Sequence, residues 1–469
     1  MSTADLSATE LLAGYEKGEI SPVQATQDAL DRIEEHNAEV NAYTLVDADS
    51  ALASARESAE RWKAGTPVGP LDGVPTSIKD ILLTKGWPTT RGSWVAEQPE
   101  PYDVDGPPVA RVREAGAVLL GKVTTPEYAW KGVTDSPRWG VTTNPWDATK
   151  TAGGSSGGSS AAVGLGMGAL SLGTDAGGSV RIPAAFTGTV AHKSTYGRVA
   201  HHPGSPFGTL AHVGPMTRTA LDAALLLDVI AGFDARDPWL LPVSIEGGPP
   251  RPYAEQATDG VAGLRIAISP TLGYVDVHPD VKSAFETAAE VFARLGATVE
   301  RADPGFSDCV EPFHVLWFAG AAKCLEPYSA EQRSRMDAAL VEIAEQGARY
   351  SATDFLGAMA VRNDMGSLMG GFHQEYDLLL TPTLPIPAFE GGRETPSGEG
   401  RWTSWTPFTY PFNMTQQPAA SVPCGFTGEG LPVGLQIVGP RHADGRVLAA
   451  AHAYEQATDH HRQVPTLLR

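Results

Sequence analysis

Over the first 65 residues, apolar positions recur with a helical period, and capping residues punctuate the pattern. Ser7-Ala8-Thr9-Glu10 is a capping-box sequence, in which a serine and a glutamate three residues on satisfy exposed backbone N–H groups; it opens a helix expected to run to Gly18. Ser21-Pro22-Val23-Gln24 repeats the pattern, with proline at the first helical position, where its missing N–H costs nothing. Ala29, Leu30 and Ile33 give this second helix its apolar stripe. An alanine-rich third helix is predicted over 50–63, stopping at Gly65.

From Leu71 the period changes, and short apolar strands alternate with helices. A helix over 109–115 leads through Gly116 to a strand at 117–120. A strongly apolar helix spans 221–230 and ends at Gly232. A strand at 264–268, an amphipathic helix over 281–295 and a strand at 297–300 follow, with buried strands at 378–380 and 434–438. This alternation implies an α/β fold with a central sheet covered by helices on both faces. The richest loop, 391–400, is short and polar. With no Pro/Ser-rich linker, charge run or repeat, one large domain is expected over 1–469: N-terminal helices (1–65) packed on a middle region (71–230) and a C-terminal remainder (260–469).

Composition narrows the function. With 35 Lys+Arg against 55 Asp+Glu, the 469-residue chain carries a formal charge of −20, which argues against a non-specific nucleic-acid binder and against an anionic membrane surface as partner. Hydrophobic residues at 42% and charged residues at 19% are ordinary for a globular chain. Gly (51) and Pro (37) are abundant without a tripeptide period, which points to many ordered turns. Cys309, Cys324 and Cys424 are odd in number and far apart, fitting buried thiols in a reducing compartment better than a disulfide framework or zinc site. No basic, apolar leader and no membrane-length apolar window is visible, so a soluble, cytoplasmic protein is expected.

One segment departs sharply from this background: Gly153-Gly154-Ser155-Ser156-Gly157-Gly158-Ser159-Ser160, followed by Gly173-Thr174-Asp175-Ala176-Gly177-Gly178-Ser179. The apolar stretches between the two clusters are too hydrophobic for a linker. Glycines crowding serines in buried surroundings suggest close backbone approach, with N–H groups aimed into a cavity. Gly153-Gly154-Ser155-Ser156-Gly157 also fits the G-x-S-x-G nucleophile elbow of α/β-hydrolases, which requires a strand directly before Ser155, where Asn144-Pro145-Trp146-Asp147 reads as a turn. Gly164-Leu165-Gly166-Met167-Gly168-Ala169 satisfies a loose dinucleotide pattern, but a helix rather than a strand precedes it.

Read as a whole, 153–199 resembles the signature of the amidase signature family, including Ser179-Val180-Arg181-Ile182-Pro183-Ala184 and Tyr196-Gly197-Arg198-Val199. Gly73-Val74-Pro75-Thr76-Ser77-Ile78-Lys79-Asp80 resembles the family's lysine motif, and 214–219 and 430–439 resemble its later landmarks. The resemblance implies the amidase signature fold and a Ser–Ser–Lys triad with Ser179 as nucleophile, Ser155 as bridge and Lys79 as base. It also implies a cis peptide before Ser155 and an oxyanion hole from the backbone N–H groups of Ala176, Gly177, Gly178 and Ser179. The chemistry is coherent: a serine hydroxyl needs an adjacent base, and lysine serves as one only when neutral. The apolar neighbours Val74, Pro75, Ile81, Leu82 and Leu83 suit that depression; a salt bridge from Lys79 to Asp80 is the alternative.

Thr174 is expected to hydrogen-bond the bridging serine, and Asp175, Arg181 and Arg198 to make internal ion pairs that hold the loop. Ser156 is the neighbouring alternative to Ser155 as bridge. Tyr128, Trp130, Ile182, Trp317, Phe318 and Tyr410 are the candidate pocket residues, although clusters such as 402–412 form cores more often than pockets. Hydrolysis of aryl or alkyl acylamides is expected, with carbamates and small esters as secondary substrates. Ala152 and His192-Lys193-Ser194-Thr195 depart from the common pattern without touching the triad. Ile182 stands where relatives that hydrolyse glutamine for tRNA amidation carry Gln, which argues against that role. A non-catalytic scaffold, an elbow-type esterase, a nucleotide-binding oxidoreductase and a glutamine-hydrolysing amidotransferase subunit are the competing classes. No cofactor and no metal is implied, since none of the twelve histidines has zincin spacing. The expected partners are a small amide and water; a homodimer is compatible with the sequence.

Overall fold

In the computed structural model, which describes residues 2–96, 102–241 and 251–469, a mixed sheet of eleven strands runs through the molecule. The strands are β1 (Tyr43–Val46), β2 (Pro75–Lys79), β3 (Val118–Val123), β4 (Leu170–Asp175), β5 (Val190–Lys193), β6 (His212–Thr217), β7 (Arg265–Ile268), β8 (Thr298–Arg301), β9 (Leu378–Pro382), β10 (Ala419–Phe426) and β11 (Pro432–Val438). Their spatial order is β1-β3-β2-β4-β6-β5-β10-β11-β9-β7-β8. β2 lies parallel to both β3 and β4, β7 lies parallel to β8 and β9, and the strands from β4 to β9 across the centre pair antiparallel.

Successive residues of a strand face opposite sides of the sheet. In β9, Leu378 and Leu380 enter an aliphatic core while Leu379 enters an aromatic one; in β7, Ile266 and Ile268 part from Ala267 in the same way. Two cores therefore flank the sheet, and strands buried on both faces read as continuous apolar runs. The aliphatic side holds the helices Ala220–Ile230 and Pro279–Arg294; the aromatic side holds Trp130, Phe186, Phe313, Trp317, Trp402 and Tyr410.

The helix at Ala8–Lys17 has its capping box, with Ser7 and Glu10 bonded reciprocally. The second helix, Pro22–Val40, does not: Ser21 accepts from Val23 N–H at 3.2 Å, while the Gln24 amide turns along the helix to Asp28 Oδ1 at 2.5 Å. The third helix begins earlier than predicted, at Ala48, because Asp47 caps it by accepting from Ser50 N–H. β1, between these helices, was not anticipated; four residues with a partly polar pattern carry little period, and its pairing with distant β3 makes it a strand. Asp222 of the helix Ala220–Ile230 accepts the N–H groups of Ala8 and Thr9 at 2.9 and 3.0 Å, tying the N-terminal segment to the main body. No helix among the described residues is long and apolar enough to cross a membrane.

A candidate serine–lysine active site

Lys79 ends β2, whose five residues are all buried between β3 and β4. Its side chain is fully excluded from solvent, and Nζ lies 2.7 Å from Ser155 Oγ, 2.8 Å from Ser156 Oγ and 2.8 Å from Thr174 Oγ1. All three neighbours are neutral hydroxyls. Asp80 points elsewhere: it accepts from Thr90 N–H at 3.0 Å and sits 3.8 Å from Lys122 Nζ. The salt bridge that would have held Lys79 charged is therefore absent. Burial drives the Lys79 pKa well below the ordinary lysine value, opposed only in part by the charge of Asp175.

The two serines arrive on a turn that needs glycine. Gly153 adopts φ +74°, and a Cβ on Gly154 would overlap the Val133 backbone. The Gly154–Ser155 peptide bond is cis, as the resemblance implied. The helix Gly157–Gly164 then leads away, with Gly157 N–H donating to Thr134 Oγ1 at 3.0 Å. Ser156 is fully engaged: its hydroxyl donates to Thr174 O at 3.1 Å and accepts from Thr174 N–H at 3.2 Å, and its own N–H donates to Ser179 O at 3.0 Å. That last bond draws residue 179 alongside the 155–156 turn. Ser155 and Ser179, but not Ser156, line one cavity.

Ser179 sits on the loop after β4, and Asp175 organises that loop. Asp175 accepts from Gly178 N–H at 2.8 Å and Val180 N–H at 3.3 Å, from Asn413 Nδ2 at 2.8 Å, and from Arg181 Nε and Nη2 at 3.0 and 2.9 Å. The remaining Arg181 N–H groups donate to Thr409 O, Gln436 Oε1 and Asn413 Oδ1 at 2.9, 2.8 and 2.7 Å, so all five are used. Although burial acts the other way, the Arg181 guanidinium holds the Asp175 carboxyl far below the usual carboxylate range. One expectation changes here. The Gly178 N–H donates to Asp175 rather than into the cavity, so the expected set of four N–H groups shrinks to those of Ala176, Gly177 and Ser179. Gly178 itself has φ +126°, and a Cβ there would overlap Thr409 Oγ1.

Arg198 does not join this loop; it faces the C-terminal segment, 4.0 Å from Asp444 Oδ2 and 3.5 Å from His442 Nδ1. The cavity encloses about 260 Å³ and is walled by Ile81, Leu82, Leu83, Phe207 and Trp317, with Tyr128, Arg91, Cys324 and the 201–206 loop completing it. Of the six predicted pocket residues, Tyr128 and Trp317 line it; the other four are core. Trp130 is sealed off and donates to Asp337 Oδ2 at 3.2 Å, and Tyr410 stacks on Phe313 and donates to Asp308 Oδ1 at 2.7 Å. Ile182 packs behind Gly153 and Gly178, and Phe318 stacks on His314. Cys309 and Cys424 are buried, whereas Cys324 is half-buried on the cavity wall. Arg91 and the 201–207 loop were missed, because they carry no motif, and the 81–83 segment, expected only as apolar surroundings of Lys79, proves to be cavity wall as well.

The competing site readings lose their structural premise. The strand before Ser155, Asp147–Thr151, belongs to a separate two-stranded ribbon, and the basic side chain beside Ser155 is lysine, not histidine. The Gly164–Gly168 run precedes β4, the reverse of the strand–turn–helix order that a dinucleotide fingerprint requires. Among the described residues, no group of three or more His, Cys, Asp or Glu is placed to hold a metal ion.

A large α/β fold here carries a buried lysine amine within hydrogen-bond reach of paired serine hydroxyls, beside a glycine-rich loop. Residues 24–448 match the Amidase family, and the chain belongs to it, a family of amidase signature enzymes that hydrolyse carbon–nitrogen bonds in linear amides. It is 38% identical over 462 residues to an acylamidase of Rhodococcus erythropolis, covering 96% of this chain and 95% of that protein. It is 37% identical to a glutamyl-tRNA(Gln) amidotransferase subunit of Myxococcus xanthus (strain DK1622), over 99% of both chains. Among solved structures, a bacterial aryl acylamidase of the amidase signature family superposes with a TM-score of 0.89 at 31% identity, over 97% of this chain and 98% of that one.

Proposed function

We propose that the protein hydrolyses aryl or alkyl acylamides through an acyl-enzyme on Ser179, with Ser155 as proton bridge and Lys79 as base. One observation carries the reading: an amine fully excluded from solvent, surrounded by three hydroxyls and lacking a carboxylate partner. Such an amine favours the neutral state, and proton counting supports the direction of transfer. Because Ser156 already donates to Thr174 O, it can only accept from Lys79. A neutral amine has two N–H groups and one lone pair. With the N–H groups directed to Ser156 and Thr174, the lone pair faces the Ser155 hydroxyl, ready to draw its proton as Ser155 takes one from Ser179.

Attack by Ser179 Oγ on the amide carbon forms a tetrahedral oxyanion, for which the N–H groups of Ala176, Gly177 and Ser179 are the available donors; losing one such donor costs ~10²–10³ in rate. The relay run backwards protonates the leaving amine, the C–N bond breaks, and water cleaves the ester by the same route. The apolar cavity wall supports an acylamide with an apolar or aryl portion over glutamine, and buried Ile182 adds no polar group to recognise it. Carbamates and small esters share the tetrahedral species and fit as secondary substrates.

Fluorophosphonate labelling followed by peptide mapping tests the assignment. Modification of Ser179 is expected; modification of Ser155 or Ser156 with Ser179 untouched would reverse the roles. A matched panel of anilide, carbamate, primary amide and glutamine tests the substrate class, and clear preference for glutamine would transfer the protein to the amidotransferase reading that its M. xanthus relative suggests.

A further inference from the structure

The cavity beside Ser155 and Ser179 is apolar over most of its wall, yet an arginine, Arg91, is among its lining residues. Arg91 is held at both ends of its backbone: its N–H donates to Asp80 O at 3.0 Å, next to Lys79, and its carbonyl accepts from Tyr128 N–H at 2.8 Å. Its φ is +55°, in the left-handed region that non-glycine residues seldom occupy. Two further wall residues, Tyr128 and Ala129, share that conformation at φ +53° and +58°. Backbone outliers of this kind cluster at active sites and ligand clamps.

The Arg91 side chain is also short of acceptors. Its Nη2 donates to Tyr102 Oη at 3.3 Å, and among the described residues it makes no ion pair. No Asp or Glu among them lines the cavity. The contrast with Arg181 is direct: there all five N–H groups are occupied, whereas most of Arg91's donors are left for something else.

The geometry points to Arg91 as the binding group for a carboxylate on the substrate, so that the preferred amides carry an acid apart from the scissile bond, on an otherwise apolar or aromatic skeleton. The planar fork of a guanidinium matches a carboxylate bidentately, and the apolar surroundings strengthen the pair. A chain with a net charge of −20 repels small anions overall, so a local cation is the means of admitting one. Hydrolysis leaves that group untouched: water delivers hydroxyl to the acyl carbon and a proton to the departing amine, while the carboxylate remains on Arg91. The inference rests on the amidase reading and names its substrate class.

The test compares kcat/KM for 4-acetamidobenzoate and its methyl ester, and for succinanilic acid and its methyl ester, which put the acid on the amine side and the acyl side respectively. At least one acid is expected to exceed its ester by about 10–100-fold, the range for charge-assisted hydrogen bonds, with the difference in KM. Arg91→Gln should lower kcat/KM for that acid about 10–100-fold more than for its ester, and Arg91→Lys should retain part of the preference. Equal rates for acid and ester in the wild type, or equal losses on both in Arg91→Gln, would overturn the proposal. Calorimetric binding of each acid and ester to Ser179→Ala reads the same preference without turnover, so an inactive enzyme and a wrong substrate class give different results.

Discussion

Replacing Lys79 with methionine should abolish turnover while making the protein more stable, increasingly so as the pH falls. The lysine ends β2 in full burial, and burial is the largest influence on it. In the unfolded chain the amine titrates near ~10.4, in the fold at a lower pH. Between those two values the unfolded chain binds more protons than the native one, so wild-type stability rises with pH and is lost as pH falls toward the folded pKa. Within that window the slope is ~1.4 kcal/mol per pH unit. Methionine, similar in length and without charge, removes the slope. Against this stand three contacts from Nζ, worth ~1 kcal/mol each, of which the Ser156 share is smallest because Thr174 O and N–H still satisfy it. The stability of Lys79→Met minus wild type should therefore climb steadily from pH 10 downward. Scanning calorimetry at constant ionic strength reads it as a growing Tm difference, ~1–2 °C per kcal/mol for a chain this long. Anilide turnover by the same variant should fall ~10²–10⁴-fold, the usual share of a positioned base. A Tm difference that does not change with pH would mean that Lys79 keeps its proton in the fold as an ordinary lysine, and the mechanism would fail with it.

Three further outcomes follow from the same geometry. Ser155→Ala should cut kcat ~10²–10⁴-fold with little effect on Tm, whereas Ser156→Ala, which removes the bridge between Thr174 and Lys79, should cost ~1 kcal/mol of stability and less of the rate; parallel kinetics and melting curves separate them. Arg181→Met strands the Asp175 carboxylate in full burial, a loss of ~3–5 kcal/mol measurable by denaturant unfolding. Because Arg181 depresses the Asp175 pKa, its contribution is present above the ordinary carboxylate range and fades on acidification, so variant and wild type should converge toward low pH. Gly178→Ala forces a side chain into a φ of +126° against Thr409, displacing the loop that carries Ala176, Gly177 and Ser179; kcat should drop ~10²-fold, read with the anilide assay, while KM moves little.

The signals that sequence carries are local ones. The capping box at Ser7–Glu10, the apolar stripes, the strand at 378–380 and the glycine–serine clusters are written within windows of a few residues, where backbone propensity and side-chain period act directly. Lys79, Ser155 and Ser179 were legible because the motifs around them resemble those of the amidase signature family. Their chemistry, though, depends on burial: Lys79 and Asp80 are neighbours in the chain, and only the strand's two-sided packing sends one to the serines and the other to Thr90 and Lys122.

What tertiary structure alone decided is the wall of the cavity and the direction of each side chain. Trp317 lines the cavity while Phe318, the next residue on the same helix, stacks on His314, because adjacent helical positions point about 100° apart and only the neighbouring elements determine which direction is open. Arg91, Tyr128, Phe207 and Cys324 meet at one surface from four distant segments, each ordinary in its own window. The sequence by itself determined the fold class, the order of elements and the reactive residue types. Where those residues face, whether the lysine is neutral and which loop N–H groups are free were set by packing between segments tens to hundreds of residues apart, which no local pattern encodes.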